Sequence, residues 1–400
     1  MKDNKLYAVV FTIILCCASS AVLTFAKAVW HNRIEANKNF SKIHAVIDAV
    51  GLLGEGDVRD TYNDYVTEAR QGEMNYYEAR KGGEVIGFAV EVEGRGKYGP
   101  IKGILAFGPN KQKLLNLRIY EHNETPGLGG RIAEPEWLGQ FTGKPCGPAG
   151  LVFSDKTTGP NVIKPVSMAS KTMFSLSKIL NKSIAQFLAG GADVEELNLG
   201  LSGDTVTKAT PGYPKNQPKP PHLRDEVKRP PFMVPKGGAV MLSKGKEVTS
   251  SMDMPPIIGE LAQLTDGILK SGQFDYVEMD PGPQWVQVDL GAEHTIYAVV
   301  VWHYYKNPII YNDVIVQVSN DKEFKTGVVT LFNNDHDNSS ELGKGEDTAY
   351  FGRWWGELVD ARGPDNAGTK CRYVRVWTNG GTADEDTRFV EVAVFGGPNK

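Results

Sequence analysis

The sequence predicts two folded regions of different class: an α+β domain behind an N-terminal transmembrane helix, and an all-β sandwich. Three observations predict it. Leu6 to Ala26 is apolar and uncharged over about the 20 residues that a helix needs to cross a bilayer core. Asn37 to Leu188 mixes helix-period and strand-period segments around one polar, glycine-rich loop, and residues 238–400 hold short alternating runs punctuated by Gly, Asn and Asp, the signature of packed antiparallel strands. Boundaries follow at 1–36 (membrane anchor), 37–190 (α+β domain), 191–237 (linker) and 238–400 (sandwich).

A chain of 400 residues, 41% apolar, can bury more than one core. Its net charge of −4 and scattered basic residues supply no positive face for a nucleic-acid partner. Four cysteines are too few for a disulfide scaffold, and Cys16–Cys17 lie in the apolar leader while Cys146 and Cys371 fall in separate domains, so no structural disulfide is expected.

Lys2 and Lys5 precede the apolar run. Ala26-Lys27-Ala28 has the small-x-small form of a signal-peptidase site. The run is longer than a signal core, however, which favours an uncleaved anchor with everything after Lys27 on the extracytoplasmic side. Asn37 to Val50 continues outward as a helix, with Phe40, Ile43, Val46, Ile47 and Val50 at helical spacing. Strands follow at Glu84–Val92, Ile101–Phe107 and Leu114–Tyr120, separated by the turns at Gly82-Gly83 and Gly108-Pro109-Asn110.

The last of these strands opens into Tyr120 to Arg131, YEHNETPGLGGR. Glu121, His122, Glu124 and Thr125 supply hydrogen-bonding side chains, and Pro126, Gly127, Gly129 and Gly130 supply backbone that a ligand can approach closely. A hairpin turn with incidental polar residues has the same composition. Trp137 and Phe141, just beyond, are either ring-stacking partners or core.

The run Gly94 to Gly130, with its E-H-x-E-T-P-G-L-G core, resembles the FMN-binding domain found in the C subunit of the sodium-pumping NADH:quinone oxidoreductase and in the G subunit of the Rnf complex. The resemblance spans Lys38 to Leu188 and implies the same membrane topology. It further implies a flavin, held as FMN and usually esterified through its phosphate to a Ser or Thr in a later D-x-x-S-G-A-T motif, and other membrane subunits of a redox complex as partners. Loop contacts implied for the ring and ribityl chain are Glu121, His122, Glu124, Thr125, Gly127, Leu128 and Gly129. No nucleophile, base or other catalytic side chain is required, because the flavin carries the redox chemistry.

The counterpart of the later motif is Lys164-Pro165-Val166-Ser167-Met168-Ala169-Ser170-Lys171-Thr172, ahead of a helical pattern from Met173 to Leu188. Ser170 falls on the acceptor hydroxyl, with Ser167 and Thr172 as neighbouring hydroxyls, and the helix start favours a phosphate. Two positions depart from the family: Lys164 stands for its Asp and Met168 for its Gly. Three states therefore stay open: FMN esterified to Ser170, FMN held reversibly with Lys164 and Lys171 on its phosphate, or a site without flavin.

From Gly190 to Pro235 the chain is dense in Pro and Lys with few apolar positions, the composition of an extended linker. Beyond it, Leu264-Thr265-Asp266-Gly267, PQWVQVDLG, VIVQVSND, CRYVRVW and VEVAVFG resemble the discoidin, or coagulation-factor C-type, domain, a galactose-binding-like jelly roll. That resemblance implies a glycan or lipid-headgroup ligand at loops of one end and a structural calcium, for which Asp266 and Glu391 are the candidate ligands by position, the alternative being a turn Asp and a solvated strand Glu. His303, Tyr304, Tyr305, Trp354, Trp355 and Arg362 have the chemistry either of a sugar platform or of core packing. The function expected is a membrane-anchored extracytoplasmic flavoprotein that relays electrons; the alternative is a non-redox surface or cell-envelope protein whose sandwich binds glycans or a partner subunit.

Overall fold

The computed structural model describes residues 5–397 apart from 73, 148–149, 192, 201–218, 221, 225–230, 273 and 364–366. The chain divides into two compact units, residues 1–69 with 75–144, and residues 70–74 with 145–400.

The first unit begins with α1 (Lys5–Ala49), one uninterrupted helix of 45 residues. No Gly or Pro occurs in it, so nothing breaks the hydrogen-bond ladder. Within it, Val9–His31 has a mean hydropathy of 2.3 and is long and apolar enough to cross a membrane. The far end is different: Ala45, Val46, Ile47 and Ala49 are buried against Tyr77, Ala79, Ala89 and Ile104. Each fully buried Ile or Leu there contributes about 2 kcal/mol. The helix stops at Gly51, whose φ of 81° lets the Leu52 amide return to the Ile47 carbonyl at 2.8 Å, the six-to-one closure that a left-handed residue permits.

After α2 (Val58–Tyr65), an antiparallel sheet runs in simple order through β1 (Val66–Gln71), β2 (Met74–Lys81), β3 (Glu84–Arg95), β4 (Pro100–Phe107) and β5 (Leu114–His122). β3, β4 and β5 fall where alternation places them. β1 and β2 do not announce themselves, because VTEARQ and MNYYEARK carry charges at nearly every outward position and few apolar inward ones. Trp137 and Phe141 are core, 7% and 0% exposed, meeting edge-on with ring centres 5.2 Å apart.

In the second unit, the parallel pair β6 (Val152–Phe153) and β7 (Val162–Ile163) precedes α3 (Ser170–Leu188). α3 buries Met173, Leu176, Leu180 and Ile184 on one stripe, the spacing read from the sequence. Most of the expected linker lies outside the described residues, but its two ends are ordered: β8 (Val194–Glu196) pairs with β9 (Met233–Pro235). Leu197 and Phe232 join the sandwich core beside Trp302 and Tyr305.

The sandwich comprises β10 (Val240–Met241), β11 (Val248–Ser250), β12 (Val277–Met279), β13 (Gln284–His303), β14 (Ile315–Ser319), β15 (Val329–Asn333), β16 (Glu357–Asp360), β17 (Thr369–Thr378) and β18 (Thr387–Gly396). β13 organises it. Its first half pairs with β11 and β17, its second half with β16 and β18, and an irregularity between Asp289 and His294 turns the strand between them. Trp285–Leu290 and Ile296–Trp302 are thus the two halves of one bent strand.

Candidate functional site

Two segments carry the expected flavin chemistry, one in each unit. In the first, β4 and β5 pair with Ile101 opposite His122, which brings the end of β5 beside the turn that leaves β3. Glu124 then reaches into that turn. It is 4% exposed and accepts hydrogen bonds from the Lys97 and Tyr98 amides at 2.7 and 3.2 Å. His122 Nδ1 accepts from the Glu124 amide at 3.2 Å, so the His122 side chain is engaged within the loop and the Glu124 side chain in the turn after β3.

The amides of Leu128 and Gly130 close onto the Thr125 carbonyl at 3.2 and 2.9 Å, so Leu128 spends on its own loop the amide expected to face a flavin ring. Gly127 takes φ 72°, a conformation glycine adopts without cost. Thr125, Gly127 and Leu128 are exposed, Glu121 is half-buried, and Gly129 is buried. The loop is therefore a self-supporting turn with Thr125 to Leu128 as its outward face.

In the second unit, the motif around Ser170 stands at the start of a helix. Ser170 is the first residue of α3, the N-cap residue Ala169 offers no side-chain cap, and the first turn holds no acid. An uncapped helix start leaves amide donors that a phosphate can accept from, with the helix dipole in its favour. Lys171 adds a cation one residue later. Of the three hydroxyls read from the sequence, Ser167 and Ser170 are exposed, whereas Thr172 is buried at 2% and cannot receive a bulky group.

Met168 has φ 62° and is 88% exposed. The backbone thus adopts the left-handed turn that a glycine would favour, and the methionine side chain points out of the way. Ser170 lines a cavity of about 340 Å3 with Pro165, Met173, Phe174, Ser177 and Lys178, at the small end of ligand sites. Behind it, Asn181 of α3 clamps the chain entering β6, accepting from the Leu151 amide at 2.6 Å and donating to its carbonyl at 3.0 Å. An exposed hydroxyl, uncapped amides and a nearby lysine fit the phosphate end of FMN.

In the sandwich, Asp266 and Glu391 are brought together. Glu391, on β18, is fully buried and accepts from the Gly267 amide at 3.2 Å on both oxygens. Burial and the Asp266 carboxylate push its pKa up to about 9. A half-buried Asp266 beside a buried Glu391 offers two oxygen donors of the kind that calcium takes.

The sugar platform is not formed. His303, Tyr305 and Arg362 are core, at 1%, 0% and 7% exposure. His303 contacts the Thr378 hydroxyl at 3.0 Å and stacks on Tyr311, and burial lowers its pKa to about 3. Arg362 is held by Asp360 at 2.7 Å and donates to the Met233 carbonyl at 2.5 Å. Tyr304 and Trp355 are half-buried, which leaves Trp354 as the exposed member of the set.

With this geometry in place, the comparisons with known proteins fall on the same segments. Residues 96–185 match the FMN-binding domain family, and residues 264–350 match the NedA-like, galactose-binding domain family. The chain thus joins an FMN-binding domain to a galactose-binding-like β-sandwich.

The G subunit of the proton-translocating ferredoxin:NAD(+) oxidoreductase complex of Clostridium ljungdahlii is 26% identical over 186 residues, 46% of this chain and 94% of that protein. The C subunit of the Na(+)-translocating NADH-quinone reductase of Chlamydia trachomatis is 33% identical over 116 residues, but these span 29% of this chain and only 33% of that protein. Among solved structures, the C subunit of the Na(+)-translocating NADH-quinone reductase of Parabacteroides distasonis aligns over 38% of this chain and 92% of its own length, with 16% identity and a TM-score of 0.34. The N-terminal part of the chain is homologous to such components of ion-translocating oxidoreductases.

Proposed function

We propose that this protein is the electron-relay component of a larger assembly and carries FMN as a phosphoester on Ser170. The observation that carries the reading is local: an exposed hydroxyl heads an uncapped helix of 19 residues, and Met168, two residues earlier, keeps a left-handed backbone at φ 62°. FMN, when bound, supplies one- and two-electron redox chemistry. The chain's own residues hold it: Ser170 Oγ as the ester oxygen, the first-turn amides of α3 and Lys171 on the phosphate. In the first unit, Thr125 to Leu128 is the outward face of its own loop.

Val9–His31 anchors the chain in the inner membrane, with both folded units on the extracytoplasmic side, and the partners are the membrane subunits of a translocating redox complex. A single span offers no ion path of its own. Asp266 and Glu391 bind a structural calcium, completed by backbone carbonyls, and the sandwich docks on a glycan or a cell-envelope partner.

The experiment is co-expression with a flavin transferase followed by in-gel fluorescence of the denatured protein. Wild type and Ser167→Ala should fluoresce, and Ser170→Ala should be dark. Fluorescence that persists in Ser170→Ala would move the ester elsewhere. A dark wild-type band from a protein that is yellow before denaturation would mean reversible binding, and a colourless protein would end the electron-relay reading. Protease digestion of intact spheroplasts tests the topology, because both units should be cleaved only if they lie outside.

A further inference from the structure

Asp313, Asp335 and Asp337 converge from two loops of the sandwich, with one carboxylate oxygen from each lying within 4.8 Å of the others. Oxygens around a calcium ion at 2.3–2.6 Å are separated by about this distance or less. Asp335 is fully buried and Asp313 is 9% exposed. No Lys or Arg among the described residues forms an ion pair with any of the three. Asp313 and Asp335 are buried and Asp337 is exposed, and two buried negative charges without a counter-charge are costly.

A second, independent observation comes from Asn334. Its side chain is 3% exposed, and its Oδ1 accepts from the Val314 amide at 2.7 Å, which fixes the amide orientation. Its Nδ2 has no hydrogen-bond partner, although a buried donor without an acceptor costs about 1–3 kcal/mol. Asn334, Asp313 and Asp337 line the same cavity of about 700 Å3.

We propose that Asp313, Asp335 and Asp337 form a divalent-cation site of the calcium class, separate from Asp266 and Glu391, in which Asn334 Nδ2 donates to an ion-bound water. All-oxygen donors select a hard cation, and the irregular placement of the loops suits calcium better than strictly octahedral magnesium. The flavin reading has no part in this proposal.

The surroundings agree. Ser339 N and Ser340 N donate to Asp335 at 3.1 and 3.0 Å, and the Ser340 hydroxyl also donates to it. Burial opposes the charge of Asp335, but these bonds prevail and hold its pKa below the ordinary value. Asp313 accepts from the Ser339 hydroxyl at 2.8 Å and Asn379 Nδ2 at 2.7 Å. His222 and His336 stack at 3.7 Å beside the cavity, and burial followed by His336 lowers the pKa of His222, so this ring adds no positive charge at neutral pH.

The test is calorimetric titration of calcium into the full-length, chelator-treated protein in detergent, with circular dichroism as the fold control. Asp337→Asn, at an exposed side chain, should weaken one calcium-binding step at least about tenfold, since affinity follows ligand charge. Asn334→Asp keeps the acceptor for Val314 and places a fourth carboxylate at the ion, so it should tighten the same step several-fold. A single wild-type step that disappears in Asp337→Asn still supports this site and removes the Asp266–Glu391 proposal instead. Wild-type isotherms in both variants, or no calcium binding by the wild type, would overturn it.

Discussion

The glycine-rich loop after β5 and the Ser170 segment before α3 reach unusual backbone by opposite means. The loop uses a glycine at its left-handed position, Gly127 with φ 72°, and fastens itself with Glu124 on the Lys97 and Tyr98 amides. The Ser170 segment forces a methionine to φ 62°. Its conformation is held by what surrounds it, including the Val166 amide on Met173 Sδ at 3.3 Å and the packed stripe of α3. Backbone shape can outlast the residue that favours it when tertiary packing over-determines the turn.

Glu391 offers a further contrast with Glu124. Both are buried carboxyls, but Glu124 accepts from two amides whereas Glu391 accepts from one and faces Asp266. The largest expected effect follows from that difference. Because the folded-state pKa of Glu391 is raised to about 9 and an unfolded Glu titrates near 4.3, the folded state holds a proton that the unfolded state releases. Its stabilisation is complete below the unfolded pKa and is lost as pH rises towards 9. In chelator, the melting transition of the second unit should lose on the order of a few kcal/mol between about pH 5 and 9. Calcium should flatten the slope, and Glu391→Gln should abolish it. A pH-independent transition in chelator would break the contrast.

Glu124→Ala should cost about 2–3 kcal/mol in denaturant unfolding, because two amides of the β3–β4 turn lose their acceptor. Glu124→Gln, which keeps an oxygen, should lose less than half of that. Equal losses would mean that charge, and not the acceptor, holds the turn.

The smallest effect is at Met168. Its exposed side chain makes little packing to lose, and a left-handed non-glycine residue costs about 1–2 kcal/mol, partly offset by the extra entropy of an unfolded glycine. Met168→Gly should therefore stabilise the second unit by about 0.5–1 kcal/mol. It should also raise the fraction of chains carrying covalent flavin, read by in-gel fluorescence. Destabilisation would show that the methionine makes a contact worth more than the strain.

Much of this was legible in the residues. Alternation located β3, β4 and β5, an uncharged apolar run and helical spacing located the two ends of α1, helical spacing located α3, and the run from Glu121 to Gly129 marked the loop. β1 and β2 were hidden because their charged outward positions mask a strand period. For His303, Tyr305 and Arg362 the residues alone left surface and core undecided, because a ring or guanidinium that packs on sugar packs equally well in a core. Arg362 is satisfied inside by Asp360 and Met233, partners that no local pattern reveals.

By itself the sequence determined what depends on neighbours along the chain: an apolar span without helix breakers, the strand and helix periods, and a serine at the head of a helix. Only the tertiary structure decided which side chains meet water and which meet each other. Thr172 turned inward while Ser170 stayed out, Glu124 became a fastener for a turn, and Asp313 came to lie beside Asp335 and Asp337. Periodicity is a short-range property of a backbone with one repeat per element. Burial and the pairing of charges belong to residues far apart in sequence, which only the packed fold brings together.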